Sequence, residues 1–316
     1  MPAGGRQTLI RRPCHEGECG INARLSKRLK LNGLGWGFVL PSLLLLGLFT
    51  YYPMLRSVWL SLFEKNLAVR DPAFVGWGNY KMLLSDPVFG QSLRNNMWFA
   101  LGTVPASMAL AFVMALLANK AIRGKGLIRM AFFYPNMIPM IAAASIWLFL
   151  YMPQFGLFSR FVAWIGGGEV NLLGNPDTVL LSLVAMTVWK EAGYFMIFYL
   201  AGMQQISKEL YESAAVDGIG AWGRALRITV PLTMPTTLFV AVVAITNAFK
   251  WVDHLWMMTK GGPNHASSLL LYYIYETTFN FFDEGLASAM TVVMIALLLL
   301  VSWIQFAGWE RKIHYQ

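Results

Sequence analysis

The chain has 316 residues, of which 57% are hydrophobic and only 13% charged, with a net charge of +9. A soluble domain carries about 25% charged residues, so an ordinary water-soluble enzyme is excluded. The apolar residues come in many runs separated by short polar connections, which implies a polytopic membrane protein rather than a domain on one anchor. In such a chain the location of the positive charge carries information about insertion, and the sum does not imply nucleic-acid binding.

Residues 1–32 read as a basic cytoplasmic tail. The stretch Cys14-His15-Glu16-Gly17-Glu18-Cys19 contains metal-ligand types but has no second cluster to complete a site, so it reads as tail. Scattered charges also argue against a cleavable signal peptide. The segment from Leu25 to Leu31, with Arg24, Lys27, Arg28 and Lys30 interleaved, either lies on the anionic inner leaflet or simply holds the N-terminus inside, and the second reading needs fewer assumptions.

From residue 33 to 309 the chain reads as one transmembrane domain, followed by a short tail, 310–316. A helix needs about 20 apolar residues to cross the hydrocarbon. Six segments qualify, near 33–55, 95–118, 130–152, 178–203, 232–256 and 287–309. Pro41, Pro105, Pro135, Pro139 and Pro235 fall inside them, so kinked helices packed on one another are expected. Of the 25 Lys and Arg residues, 16 fall on the side holding the two tails and the connections after spans two and four, and seven on the other. Both termini are therefore expected in the cytoplasm. Trp36, Tyr51, Tyr52, Trp98 and Trp309 lie at span ends as an interfacial belt, whereas Trp147, Trp189, Trp251 and Trp256 read first as packing volume and second as stacking surfaces for a sugar ring.

Two lysines, Lys190 and Lys250, lie within spans. An ionisable group at that depth costs at least a few kcal/mol unless it faces a cavity or a partner. Glu191 is not automatically the partner of Lys190, because adjacent helical residues point about 100° apart. One reading pairs Lys190 with another span. The other puts Lys190, Tyr194, Asn247 and Lys250 around a translocation path, where they would bond solute hydroxyls or face an anion.

Between spans four and five runs a long loop, Gln204 to Pro231. Helix formers from Glu209 to Val216, the stop Asp217-Gly218 and a second helical stretch from Ala221 to Thr229 predict a helix, a glycine corner and a helix. Leu210, Tyr211, Ala214, Ala215 and Trp222 would form an apolar knob, with Glu212 as a directional charge, suited to a groove on another protein. Packing against its own spans is the alternative.

The spacing here resembles the EAA motif of the permease subunits of binding-protein-dependent ABC importers. That motif runs Glu-Ala-Ala, three residues, Gly, nine residues, Ile, one residue, Leu-Pro. This chain has Glu212-Ser213-Ala214, Gly218, Ile228 and Val230-Pro231, with Ser213 and Val230 as its two departures. Further likeness to the carbohydrate-uptake branch, whose transmembrane domain is MetI-like, runs through Phe74 to Tyr80, Asp86 to Phe89, Asn95-Asn96, Gly124-Lys125-Gly126, Asp253, Thr259 to Pro263 and Tyr272 to Tyr275.

The resemblance implies an all-α, six-span subunit of the bacterial inner membrane. Its coupling residues would be Glu212, Ser213, Ala214, Ala215, Asp217, Gly218, Ile228 and Pro231. Its partners would be a second permease, usually a different polypeptide, two ATPase subunits, an extracytoplasmic solute-binding protein and membrane lipid, with no nucleic acid. No Gly-x-x-x-x-Gly-Lys-Ser/Thr sequence occurs, so ATP and Mg are expected on the ATPase, with no cofactor in this chain. The solute would be a sugar, polyol or glycerol phosphate. The external stretch Lys260 to His265 could touch the binding protein. An ion-coupled carrier would require midplane carboxylates, for which Glu191 alone is thin support. A membrane enzyme would require convergent acid, base or metal residues, and the four histidines show no paired spacing.

Overall fold

A computed structural model describes residues 35–67, 71–119, 124–167 and 171–309. The Cys14/Cys19 stretch, the Leu25 to Leu31 segment and the C-terminal tail therefore lie outside the described residues. The chain divides after Arg56 into two units. The first belongs to α1 (Gly35–Leu60), an apolar helix. It widens into a π turn over Gly47–Tyr51, just ahead of Pro53, whose missing N–H opens the ladder. No side chain between residues 35 and 56 is buried, so lipid or another subunit must cover this apolar surface.

The second unit opens with a minimal hairpin, β1 (Phe63–Glu64) against β2 (Ala73–Phe74), antiparallel with Phe63 opposite Phe74. The Asn79 amide at the start of α2 (Gly78–Ser85) donates to the carbonyls of Ser61 at 2.8 Å and Phe63 at 2.9 Å and binds that helix to the hairpin. Asp86 then receives the Val88 N–H at 2.9 Å and starts α3 (Pro87–Asn119).

α3 begins eight residues before the expected span, because several polar residues of its first turns are buried. Ser92, Asn95 and Asn96 are buried. The Asn95 amide donates to the carbonyls of His265 and Ser268, and the Asn96 carbonyl accepts the Leu270 N–H. At 1.5 Å per residue α3 is about 50 Å long, more than the roughly 30 Å hydrocarbon. Its first turns are the post that holds the loop ahead of α12 (Leu270–Phe279).

The expected third span, 130–152, is two helices. α4 (Lys125–Met137) and α5 (Met140–Tyr151) meet at 95°. Pro139 supplies no N–H and forces Ile138 to be extended, at φ −75 and ψ 133, so the chain turns where hydropathy shows only a kink. A short helix, α6 (Leu157–Val162), follows. Then Asn175 caps α7 (Pro176–Gln204), accepting the Asp177 N–H, with Pro176 in the first turn, where a missing amide costs nothing.

α3 and α7 pack along their length. The small residues Ala111, Ala115 and Ala118 on α3 are buried, which lets backbones approach in the absence of a hydrophobic drive between spans. The fifth segment, Met234–Met258, is α10 (Met234–Lys250) and α11 (Asp253–Met258) joined through extended Trp251. The sixth is α13 (Glu284–Trp309). Among the described residues, five helices are thus long and apolar enough to cross a membrane, or six if the bent pair is one span. Leu83, Phe89, Leu270, Tyr273 and Met290 form a second, smaller core where α2, α3, α12 and α13 meet.

Candidate functional site: the 204–231 loop and a buried polar pocket

The loop after α7 is a helix, a corner and a helix. α8 (Lys208–Val216) ends in a pair of bonds, Ile219 N–H to Ala214 O at 2.9 Å and Gly218 N–H to Ala215 O at 3.1 Å, which together form a Schellman motif. Gly218 takes φ +76, a left-handed conformation that costs a side-chain-bearing residue about 1 kcal/mol. α9 (Ala221–Arg224) then leads through a π turn, Ala225–Thr229, and Val230–Leu232 to α10. Tyr211 Oη lies 3.0 Å from Thr229 Oγ1 and ties the two arms together.

Of the expected knob residues, Leu210, Ala215 and Trp222 are exposed, whereas Ala214 is buried and Tyr211 half-buried. Tyr211 faces inward because its hydroxyl reaches across to the returning arm. Glu212, Ser213, Asp217, Gly218 and Pro231 are exposed and Ile228 is half-buried. Two exposed apolar residues join the knob that the sequence did not single out, Val216 at 89% and Leu226 at 65% exposure, beside Trp222 at 77%. Val216 read only as a helix former, and its outward direction depends on where the corner falls.

Halfway along α7, Lys190 and Glu191 are both buried and diverge. The Lys190 ammonium donates to the carbonyls of Ile138 at 2.6 Å, Pro135 at 3.3 Å and Asn136 at 3.4 Å. Glu191 accepts the Asn247 amide at 3.0 Å, joining α7 to α10. Around that bond lies a cavity of about 10 Å³, with Thr103, Ser107, Thr187 and Trp251 in its wall, enough room for about one water. Thr103, Ser107 and Thr187 each donate to a backbone carbonyl on their own helix, which leaves their lone pairs to accept.

Of the four residues read from sequence as a path, only Asn247 lines this pocket. Lys190 turns toward α4, the Tyr194 ring packs on Phe195 and Phe198, and Lys250 is exposed at the end of α10. Thr103, Ser107 and Thr187 were missed, since hydroxyls are common in membrane helices and nothing in their spacing marks a shared cavity. Trp147 stacks on Phe158 at 5.3 Å and Trp189 packs 5.6 Å from Trp147, as expected of packing volume. Nearer the loop between α7 and α10, a wider, mostly apolar cavity of about 460 Å³ lies between α3, α7, α10 and α13, lined by Met108, Phe112, Tyr199, Thr233 and Gln305 among others.

Apolar helices long enough to span, with an exposed helical knob between two of them, define a multi-pass membrane protein. The chain belongs to the family of binding-protein-dependent transport system inner membrane components, whose model matches residues 107–307. It is 32% identical to the lactose transport system permease protein LacF of Rhizobium radiobacter, over 88% of this chain and 95% of that one. It is 31% identical to the sn-glycerol-3-phosphate transport system permease protein UgpA of Agrobacterium fabrum, over 88% and 94%. Among solved structures, a bacterial ABC transporter that imports the acidic polysaccharide alginate shares the fold, with a TM-score of 0.79 at 22% identity, covering 91% of this chain and 99% of that one. The chain is accordingly a multi-pass inner-membrane permease subunit of an ABC importer. It is not an enzyme, and it works with an ATPase and a solute-binding protein.

Proposed function

We propose that the chain forms half of the translocation path for a sugar or related polyol or glycerol-phosphate solute, paired with a second, different permease polypeptide. Two ATPase subunits bind the ATP and Mg, and their closure is transmitted through the knob between α7 and α10. The observation that carries this reading is the exposure of Val216, Trp222 and Leu226 around the glycine corner. Three large apolar side chains held on a rigid corner are a costly surface unless a partner covers them. Glu212, Ser213, Ala215 and Asp217 lie exposed on the same knob and complete the coupling surface. Gly218 sets its corner, while Ala214, Ile228 and Pro231 support it.

On this reading the knob and both termini face the cytoplasm, in keeping with the excess of Lys and Arg on that side. The domain is the 33–309 bundle flanked by two short tails. The cavity of about 10 Å³ at the Glu191–Asn247 bond holds about one water in this conformation, so a polyhydroxylated solute meets these hydroxyl, carboxylate and amide groups only when the helices move apart. Substrate class follows the lactose and glycerol-phosphate relatives. A cysteine cross-linking scan tests the docking: Ser213→Cys should join the ATPase in the assembled importer, whereas Ser85→Cys at the end of α2 should not. Cross-linking at both positions, or at neither, contradicts the reading.

A further inference from the structure

Lys190 is the only described lysine or arginine buried in the bundle, and its placement answers a specific problem of the third span. In an unbroken helix the Pro135 carbonyl would accept from the N–H of residue 139. Residue 139 is proline and has no N–H to give. The turn at extended Ile138 removes the regular ladder for the neighbouring carbonyls as well. A helix end buried away from water needs another donor for these groups.

The Lys190 ammonium meets three of them, at Ile138, Pro135 and Asn136, and brings positive charge to the C-terminal end of α4, where the helix dipole favours it. One turn further along α7, Gly193 presses directly on α4, and a Cβ there would collide with the Phe132 carbonyl. We propose that Lys190 is the positioning residue of the third span: it caps the orphaned carbonyls of α4 and so holds the 95° break between α4 and α5. Its charge is spent on backbone, away from the Glu191 pocket, and the assignment does not depend on where the ATPase docks or on which solute is carried.

The bend can be read as a distance. Leu127 on α4 and Phe149 on α5 are exposed at 72% and 61%, and each lies eleven residues from Ile138. At 1.5 Å per residue they stand about 23 Å apart across a right-angled break and about 33 Å apart in a straight helix. Spin labels at Leu127→Cys and Phe149→Cys, with Cys14 and Cys19 changed to Ser, report this distance in the assembled importer in nanodiscs.

Lys190→Met should lengthen and broaden the distribution, by up to about 10 Å, while Lys190→Arg, which keeps the donors, should hold the parent distance and restore uptake. A Lys190→Met distribution that superposes on the parent overturns the proposal, whatever happens to uptake. If Lys190→Met fails to assemble, Lys190→Gln, which keeps a side-chain N–H donor for the same carbonyls, should recover assembly. Equal failure of the two variants also overturns it.

Discussion

Trp222→Ala removes the largest side chain of the knob. The residue is 77% exposed, and a Trp side chain carries about 200 Å², so about 150 Å² is open to a partner. At about 25 cal/mol per Å² its full covering is worth up to about 4 kcal/mol, and side-chain ordering and imperfect covering reduce this to about 2 kcal/mol, in the range of an interface hot spot. That is about a 30-fold weakening of the ATPase–permease complex. The thermal stability of the permease itself should change by less than about 0.5 kcal/mol, as for a surface substitution. Titrating the labelled ATPase against the permease in nanodiscs reads the first quantity, and an unfolding curve reads the second. Parent affinity in the variant, or a destabilised permease with parent affinity per folded molecule, would refute the reasoning, because either result places Trp222 in its own bundle instead of in a contact.

Three further substitutions test the parts around it. Gly218→Ala should cost about 1 kcal/mol at the left-handed corner and Gly218→Asn less, seen as faster proteolysis of the 204–231 loop in alanine than in asparagine; the opposite order excludes the Schellman corner. Glu191→Leu strands the Asn247 amide and should destabilise the bundle by about 1–3 kcal/mol, while Glu191→Gln keeps an acceptor and stays near the parent. Equal melting curves for the two would show that the α7–α10 bond contributes nothing. Gly193→Ala forces α4 off α7 and should cost about 1–3 kcal/mol in thermal unfolding, and an unchanged curve contradicts that close approach.

What the sequence made visible follows from which signals are local. Hydropathy located the spans because lipid demands about 20 apolar residues wherever a helix crosses, and the Glu212 to Pro231 spacing located the corner because only glycine takes φ +76 cheaply. Hydropathy reads the third span as one kinked helix, whereas the chain breaks there by 95°. Pro135 and Pro139 look alike in sequence, yet Pro135 continues α4 and Pro139 ends it. The start of α3 was set too late since Ser92, Asn95 and Asn96 look like loop residues until the 265–270 segment folds onto them. Side-chain direction was the least legible property. The sequence separated Lys190 from Glu191 by about 100°, but which neighbour each one meets depends on where α4 breaks and how α10 packs. The same holds for Tyr211, turned inward by a hydroxyl contact 18 residues away.

On the reading proposed above, this chain is a path moved from outside through its exposed corner. Its most direct test is solute uptake by proteoliposomes containing the complete importer, with ATP on the ATPase side, binding protein on the other and all ion gradients collapsed. Uptake should persist with ATP, stop without the binding protein, and fall with the ATPase affinity in Trp222→Ala. Uptake that follows an imposed ion gradient and ignores ATP would contradict the account.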